Sequence, residues 1–203
     1  MALVRLNRTP SPEDAPSHRL PEGRDVGPGE PVGAGPAPRA RRHVDLLAIA
    51  EGFAASAADL PELHGLAERS WILVAATDLF EAWAIGWPPG GKIQLHDHGE
   101  SNGAVVVAKG SLTETTIRPT DRGVALVSAR QIEAGEHRVF GPHYVHDIVN
   151  DGTEDAVSVH VYGPKLETMT YYRLLDSGRL DAVDTVWVDP VGPFDVTRAH
   201  DPS

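Results

Sequence analysis

The feature that most constrains the fold is a series of short apolar segments between residues 71 and 162. Glycine, proline, asparagine and aspartate separate them, and such segments are typical of β-strands. In chain order they read WILVAA, FEAWAIGW, GAVVVAKG, SLTETTI, VALVSA, HRVFG, HDIVN and AVSVHVY. Many short strands with frequent turns indicate a sandwich or barrel. The sequence therefore predicts an all-β domain built as a double-sheet jelly roll.

A helical segment is expected ahead of the strands. Residues 43–69 carry apolar residues at helical spacing and many alanines. Pro61 is expected to separate two helices, with the break near Asp59 or Leu60, because proline interrupts helical hydrogen bonding. After the strands, residues 165–180 are expected to hold a turn or short helix, and TVWV at residues 185–188 a final strand.

The chain divides into three regions by composition. Residues 1–42 are rich in proline, glycine, arginine and alanine and poor in large apolar side chains, which predicts a disordered tail. Residues 43–185 form the expected domain, including the helices, and residues 186–203 the expected loose C-terminal tail.

Charge and cysteine content exclude several classes of function. The formal net charge of −11 argues against a nucleic acid or an anionic membrane as the main partner. The absence of cysteine excludes disulfides, zinc–thiolate sites and cysteine nucleophiles. The N-terminus lacks a signal-peptide core and no apolar run reaches membrane-spanning length, so we expect a cytoplasmic protein that is a monomer or a weak homo-oligomer.

Three histidines form a candidate metal site. His96 and His98 are two residues apart, and residues at that spacing on a strand point to the same face. His146 lies far along the chain on another predicted strand, which a barrel could bring to the pair. Imidazole ligands suit iron, zinc, copper or nickel, so the residues alone leave the metal open. His64 and His137 are expected to be ordinary surface residues.

A second polar pattern follows in AVSVHVYGP. Ser158, His160 and Tyr162 share one strand face, and the valines between them share the other. A polar face that points inwards requires a hydrogen-bonded cavity, since unpaired buried polar groups are costly. The alternative is a solvent-facing polar stripe on an edge strand.

The glycine and histidine spacing resembles the two motifs of the cupin superfamily. The first runs from Gly90 through His96-Asp97-His98 to Gly110, and the second from Gly135 through Gly141-Pro142 and His146 to Asn150. This resemblance implies a cupin double-stranded β-helix. Many cupins place a glutamate ligand shortly after the histidine pair. Here that stretch reads Ser101, Asn102 and Gly103, which leaves three neutral histidines and open positions for an anionic substrate.

Residues 65–175 resemble the cysteine dioxygenase family, especially its bacterial members. The resemblance implies that ferrous iron, Fe(2+), binds His96, His98 and His146, and that dioxygen is added to a small thiol. It also matches Ser158, His160 and Tyr162 to the family's relay beside the iron, and Trp87 to a tryptophan ahead of the histidine pair. Some family members crosslink the tyrosine to a cysteine. Gly103 occupies that position here, so the crosslink is impossible.

The family resemblance leaves the substrate open. Cysteine dioxygenases pair an arginine with the substrate carboxylate, and Arg69 is the nearby arginine, although gapless alignment places Ser70 there. Tyr144 is expected to bind substrate, and His143 could also line the pocket. L-cysteine is the expected substrate and 3-mercaptopropionate the other candidate.

Two other classes of function fit parts of the pattern. One is another cupin enzyme that oxidises or decarboxylates a small acid. The other is a non-catalytic cupin that binds a metal or ligand as a sensor. The stripe of Ser158, His160 and Tyr162 favours the thiol dioxygenase over both, because neither rival requires it.

Overall fold

The structure is a computed structural model, and it describes residues 44–118, 120 and 125–188. The disordered tail predicted for residues 1–42 lies outside this part of the chain, as do residues 189–203 of the predicted C-terminal tail. All described residues belong to the unit that spans residues 42–203.

Eleven strands are present among the described residues. They are β1 (Ser70–Ala76), β2 (Glu81–Trp87), β3 (Lys92–His96), β4 (Asn102–Lys109), β5 (Ser111–Arg118), β6 (Leu126–Glu133), β7 (His137–Phe140), β8 (Val145–Val149), β9 (Ala156–Gly163), β10 (Thr168–Leu174) and β11 (Leu180–Trp187). The prediction of a turn or short helix at residues 165–180 is wrong over β10. That strand pairs with both β11 and β3 through a segment rich in threonine and tyrosine, which favour strands.

The helical segment is shorter than predicted. Helix α1 spans Leu46–Ala57 and begins at Asp45, whose side chain accepts a hydrogen bond from the Ala48 backbone N–H at 3.1 Å. After it comes a single 3₁₀ turn, Pro61–Leu63, so the second helix predicted after Pro61 is wrong. The turn ends at His64, whose φ of −122° and ψ of 153° are extended, and the next residue, Gly65, has a φ of 63° and donates its N–H to the Asp155 carboxylate at 2.7 Å.

The strands form two sheets in which every pairing is antiparallel. The five-stranded sheet has the order β1-β2-β9-β4-β7, and the six-stranded sheet the order β11-β10-β3-β8-β5-β6. Neighbours in each sheet are mostly distant in sequence, as expected of a jelly roll. The prediction of an all-β cupin jelly roll with a short helical segment is confirmed.

The core has two main clusters. Val157, Val159 and Val161 of β9 are fully buried against α1, on the outer face of the five-stranded sheet. A second cluster, which includes Trp87 and Ile148, lies between the sheets. β9 is the central strand of its sheet, so the alternative of an edge strand with a solvent-facing stripe is wrong. None of the helices in residues 44–118, 120 and 125–188 is long and apolar enough to cross a membrane.

The two glycine-containing motifs meet at one end of the barrel. The Gly90 N–H donates to the Asn150 carbonyl at 2.8 Å, and the Asn150 N–H donates to the Gly91 carbonyl at 2.8 Å. The buried Asn150 side chain also donates to the Trp87 carbonyl at 2.8 Å. Gly90 has a φ of 79°, which favours glycine in this turn. These bonds hold the β2–β3 turn against the end of β8 and fix the register of the histidine-bearing strands.

Candidate functional site

The three predicted metal-ligating histidines converge inside the barrel. His96 ends β3 and lies directly opposite His146 of β8, so antiparallel pairing brings the distant residue to its partner. The sequence predicts His98 on the same strand as His96. In the structure His98 lies two residues beyond the end of β3. One nitrogen of each ring lies within 4.8 Å of the others, and all three side chains are buried.

The imidazole nitrogens are arranged as metal ligands. His96 donates from Nδ1 to the Gln94 carbonyl at 2.7 Å, which leaves its Nε2 without a proton, 3.2 Å from Nε2 of His98. The Nε2 of His146 is buried and has no hydrogen-bond partner in the described part of the chain. Burial and the neighbouring imidazoles hold the pKa of His96 and His98 well below the usual range. Buried imidazoles that each turn a nitrogen towards the same point fit a transition-metal ion.

Asp97, between the two ligands of the histidine pair, holds their turn in place. Its side chain is 2% exposed and accepts hydrogen bonds from the Tyr172 hydroxyl at 2.7 Å and the Gly99 N–H at 3.0 Å. Its own backbone N–H donates to the Thr170 carbonyl at 2.9 Å. These contacts anchor the turn to β10, so the orientation of both rings is fixed by the fold.

A chain of hydrogen bonds runs from Trp87 to Tyr162. Trp87 donates from Nε1 to Ser158 Oγ at 2.8 Å, Ser158 Oγ lies 2.9 Å from His160 Nε2, and His160 Nδ1 lies 3.3 Å from the Tyr162 hydroxyl. The indole can only donate, so the Ser158 hydroxyl proton is available to His160 Nε2. His160 then carries its proton on Nδ1 and donates to Tyr162. In this pattern the phenol proton is not used by His160, and the Tyr162 ring lies 4.9 Å by centroids from that of His98.

Burial keeps the groups of this chain neutral. It lowers the pKa of His160 to about 3, with further lowering by the positive charge of Arg69. Burial and the nearby Glu81 carboxylate raise the pKa of Tyr162 above its usual range. A neutral imidazole and a neutral phenol can both hold a proton without carrying charge into the apolar interior.

The Arg69 guanidinium lies beside this chain of hydrogen bonds. The Arg69 guanidinium carbon lies 4.8 Å from the ring centroid of Trp71 and 5.2 Å from that of Trp87, within the range of a cation–π contact. Ser70 begins β1 and is 8% exposed. The structure therefore places the guanidinium beside the predicted site.

Phe140 fills the space that Gly103 leaves. A Cβ at Gly103 would overlap the Phe140 ring, because the two residues are directly opposite on β4 and β7. The ring stacks on His98, with centroids 5.0 Å apart and planes at 24°, and on Tyr144 at 5.1 Å and 10°. Sequence reasoning did not identify Phe140 as a wall of the site.

Sequence reasoning also did not identify Glu114 and Arg138. Glu114 of β5 accepts a hydrogen bond from His146 Nδ1 at 2.8 Å, and Arg138 Nε donates to its other oxygen at 3.1 Å. Burial alone would raise the pKa of Glu114, but these two partners hold it below the usual value, so the side chain is a carboxylate. The sequence signal for Glu114 was its position two residues from Leu112, which places an acidic side chain on the inward face of an amphipathic strand.

The remaining predicted residues lie around this centre. The Tyr144 hydroxyl donates to Glu114 at 3.3 Å, and burial together with that carboxylate raises its pKa to about 12. His143 is 63% exposed and pairs with Glu100 at 3.1 Å, so it lies at the surface. His137 is exposed, whereas His64 is half-buried and hydrogen-bonded to the Ala58 carbonyl at 2.8 Å.

The family model for cysteine dioxygenase type I matches residues 45–174, well over half of the chain. The chain belongs to this family. The matched range contains the three histidines, the hydrogen-bonded chain on β9, Arg69 and Glu114. Membership supports a cupin dioxygenase with a three-histidine site.

Several solved structures resemble the chain only distantly. A sugar phosphate isomerase of the cupin superfamily from Silicibacter pomeroyi is 21% identical, with a TM-score of 0.42, over 57% of this chain and 75% of that one. The TT1209 protein of Thermus thermophilus is 17% identical, with a TM-score of 0.41, over 53% and 95%. A recombinant oxalate oxidase in complex with glycolate is 23% identical, with a TM-score of 0.41, over 52% of this chain and only 53% of its own.

Proposed function

We propose that the protein is a non-haem iron thiol dioxygenase that adds both atoms of dioxygen to the sulfur of a small thiol. L-cysteine, converted to cysteine sulfinate, is the proposed substrate, and 3-mercaptopropionate is the alternative. The observation that carries the proposal is the convergence of three buried imidazoles beside Tyr162, at the end of a buried hydrogen-bonded chain. Family membership supports the same reaction class.

His96, His98 and His146 would hold ferrous iron through their Nε2 atoms. Iron bound there would supply the redox chemistry with dioxygen and lower the pKa of a bound thiol. Because none of the three ligands carries a negative charge, the site keeps a positive charge that attracts a thiolate. The carboxylate nearest to the ligands, Glu114, is separated from the ligating nitrogens by the His146 ring.

Tyr162 is proposed to orient the substrate and to hold a proton at its hydroxyl oxygen. His160 fixes the phenol from Nδ1, and Ser158 fixes the imidazole from the other side. Trp87 anchors Ser158 and lies fully buried in the apolar cluster between the sheets. This apolar surround excludes water from the proton-holding groups.

Arg69 is proposed to bind the carboxylate of the substrate. Its guanidinium lies over the rings of Trp71 and Trp87, and Trp87 is the first member of the hydrogen-bonded chain. A planar guanidinium can bind a carboxylate through two parallel hydrogen bonds. The proposal predicts a preference for thiols that carry a carboxylate over cysteamine, which has none.

Oxygen consumption tests the proposed activity. Protein reconstituted anaerobically with ferrous iron should consume dioxygen when cysteine or 3-mercaptopropionate is added. A His146→Gln variant, treated identically, should not. Protein that binds iron but shows no thiol-dependent consumption with cysteine, 3-mercaptopropionate or cysteamine would contradict the proposal and favour a sensor.

A further inference from the structure

Glu114 is a buried carboxylate whose side-chain hydrogen-bond partners lie on other strands or in a loop near the metal site. It is 2% exposed and lies on β5. One oxygen accepts from His146 Nδ1 at 2.8 Å and from the Tyr144 hydroxyl at 3.3 Å. The other accepts from Arg138 Nε at 3.1 Å, and the Arg138 side chain is only 17% exposed. Every partner donates, so the carboxylate is fully committed to this network.

The contact with Glu114 fixes the tautomer of His146. A carboxylate only accepts hydrogen bonds, so Nδ1 of His146 must carry the proton. Its buried Nε2, which has no hydrogen-bond partner within the described residues, is then left with a lone pair on the side of His96 and His98. A carboxylate behind a histidine ligand orients the ring and raises its basicity.

The three histidines are therefore not equivalent as ligands. His96 donates to a neutral backbone carbonyl, that of Gln94. His98 has a buried Nδ1 with no hydrogen-bond partner among the described residues. His146 alone is backed by a charged group. The sequence has no carboxylate ligand after His98. The fold instead places the Glu114 carboxylate behind the ring of His146, the third ligand.

We propose that Glu114 is a positioning residue that orients His146 and raises its basicity as a metal ligand, with Arg138 and Tyr144 holding the carboxylate in place. This inference rests on the proposed function only in requiring that the three histidines bind a divalent metal. It assigns Glu114 no contact with the metal or with the substrate. The expected consequence is a metal affinity that depends on the charge of Glu114.

Metal affinity of matched glutamine variants tests the inference. Glu114→Gln keeps the shape of the side chain and removes its charge. Glu81→Gln is the control, because Glu81 is equally buried but accepts a hydrogen bond from the Leu166 backbone N–H rather than from a histidine. Ferrous iron and Co²⁺ would be titrated anaerobically against a competing chelator, and thermal unfolding of the metal-free variants would confirm folding.

Glu114→Gln should bind metal about 10–100-fold more weakly than the wild type, as is typical when such a partner is lost. Glu81→Gln should bind as the wild type does. Wild-type affinity in Glu114→Gln, or equal losses in both variants, would overturn the inference.

The wild-type protein offers a test that does not depend on a variant folding. Nitrogen-15 NMR of the Zn²⁺-loaded protein should show His146 with a protonated Nδ1 and a metal-bound Nε2, with the resonance assigned by its loss in His146→Gln. A metal-bound Nδ1 would overturn the inference. A protein that passes these tests but consumes no dioxygen with thiols would contradict the proposed function and leave this inference standing.

Discussion

The indole of Trp87 donates a hydrogen bond to the hydroxyl of Ser158, 2.8 Å away, and both side chains are fully buried. This bond links β2 to β9 and is the first in the series of hydrogen bonds that ends at Tyr162. Because Trp87 also packs in the apolar cluster between the sheets, the position of Ser158 is fixed by the core. The orientation of His160 and Tyr162 therefore depends on core packing rather than on a mobile surface loop.

Replacing Tyr162 by phenylalanine should separate metal binding from turnover. The ring keeps its contact with His98, but the hydroxyl that His160 holds is removed. We expect kcat with cysteine to fall about 100-fold, within the range of proton-holding groups, while iron content stays that of the wild type. Steady-state oxygen consumption and metal analysis on the same preparation check both. Full activity in Tyr162→Phe would remove the phenol from the mechanism.

Replacing Arg69 by glutamine should alter substrate preference. Loss of a charge-assisted contact with the carboxylate should raise the KM for cysteine and 3-mercaptopropionate about 10-fold or more. Any oxidation of cysteamine should be unaffected, because it has no carboxylate. Ser70→Ala is the control, since Ser70 is the neighbour that gapless alignment favours. A larger effect in Ser70→Ala, or equal effects of Arg69→Gln on all three thiols, would contradict the assignment.

His160 should make the metal-free protein less stable at acidic pH. Its pKa is about 3 in the folded state and 6.5 ordinarily, so below pH 6.5 the unfolded chain binds a proton that the folded protein does not. The stability contribution is therefore complete above pH 6.5 and is lost as the pH falls towards 3. The free energy of unfolding of the wild type should fall, relative to that of His160→Gln, by about 1.4 kcal/mol per pH unit over this range.

Urea unfolding of both metal-free proteins between pH 7 and pH 4 measures this difference. If the free energies of unfolding of the two proteins instead changed in parallel over that range, His160 would be protonated in the folded state.

A side chain at Gly103 should destabilise the fold. Its Cβ would overlap the Phe140 ring, and that ring cannot withdraw easily because it stacks on His98 and Tyr144. We expect Gly103→Ala to lower the free energy of unfolding by about 1–3 kcal/mol, the usual cost of overpacking. Gly141→Ala is the control, because the nearest atom to a Cβ there is 3.9 Å away. Chemical unfolding of the two variants gives the comparison, and equal stabilities would contradict the account of Phe140.

The part of the site that the sequence predicts is the part that local periodicity encodes. The alternation in AVSVHVY places Ser158, His160 and Tyr162 on one face, and the structure has that face buried in the central strand. The two-residue spacing of His96 and His98 was likewise sufficient to predict that their rings lie together, even though β3 ends at His96. Local pattern does not give strand register, so the sequence could propose only that a barrel could bring His146 to the pair, and the family resemblance implied that it is the third ligand.

The missed residues depend on contacts between distant strands. Glu114 reaches His146 because β5 pairs with β8, and Phe140 fills the Gly103 space because β7 pairs with β4. Neither pairing can be read from one strand alone. The second predicted helix failed for a local reason, since His64 and Gly65 both leave the helical region despite the apolar residues Leu63 and Leu66 around them. The two threonines and two tyrosines of β10, residue types that favour strands, were a usable strand signal.

Mass spectrometry of the product formed under ¹⁸O₂ tests the central claim most directly. Iron-loaded protein would be mixed with cysteine in ¹⁸O₂-saturated buffer made with ordinary water, with His146→Gln as the control. The expected product is cysteine sulfinate that carries two ¹⁸O atoms, formed by the wild type alone. Unlabelled or singly labelled sulfinate, or cystine as the only product, would contradict it.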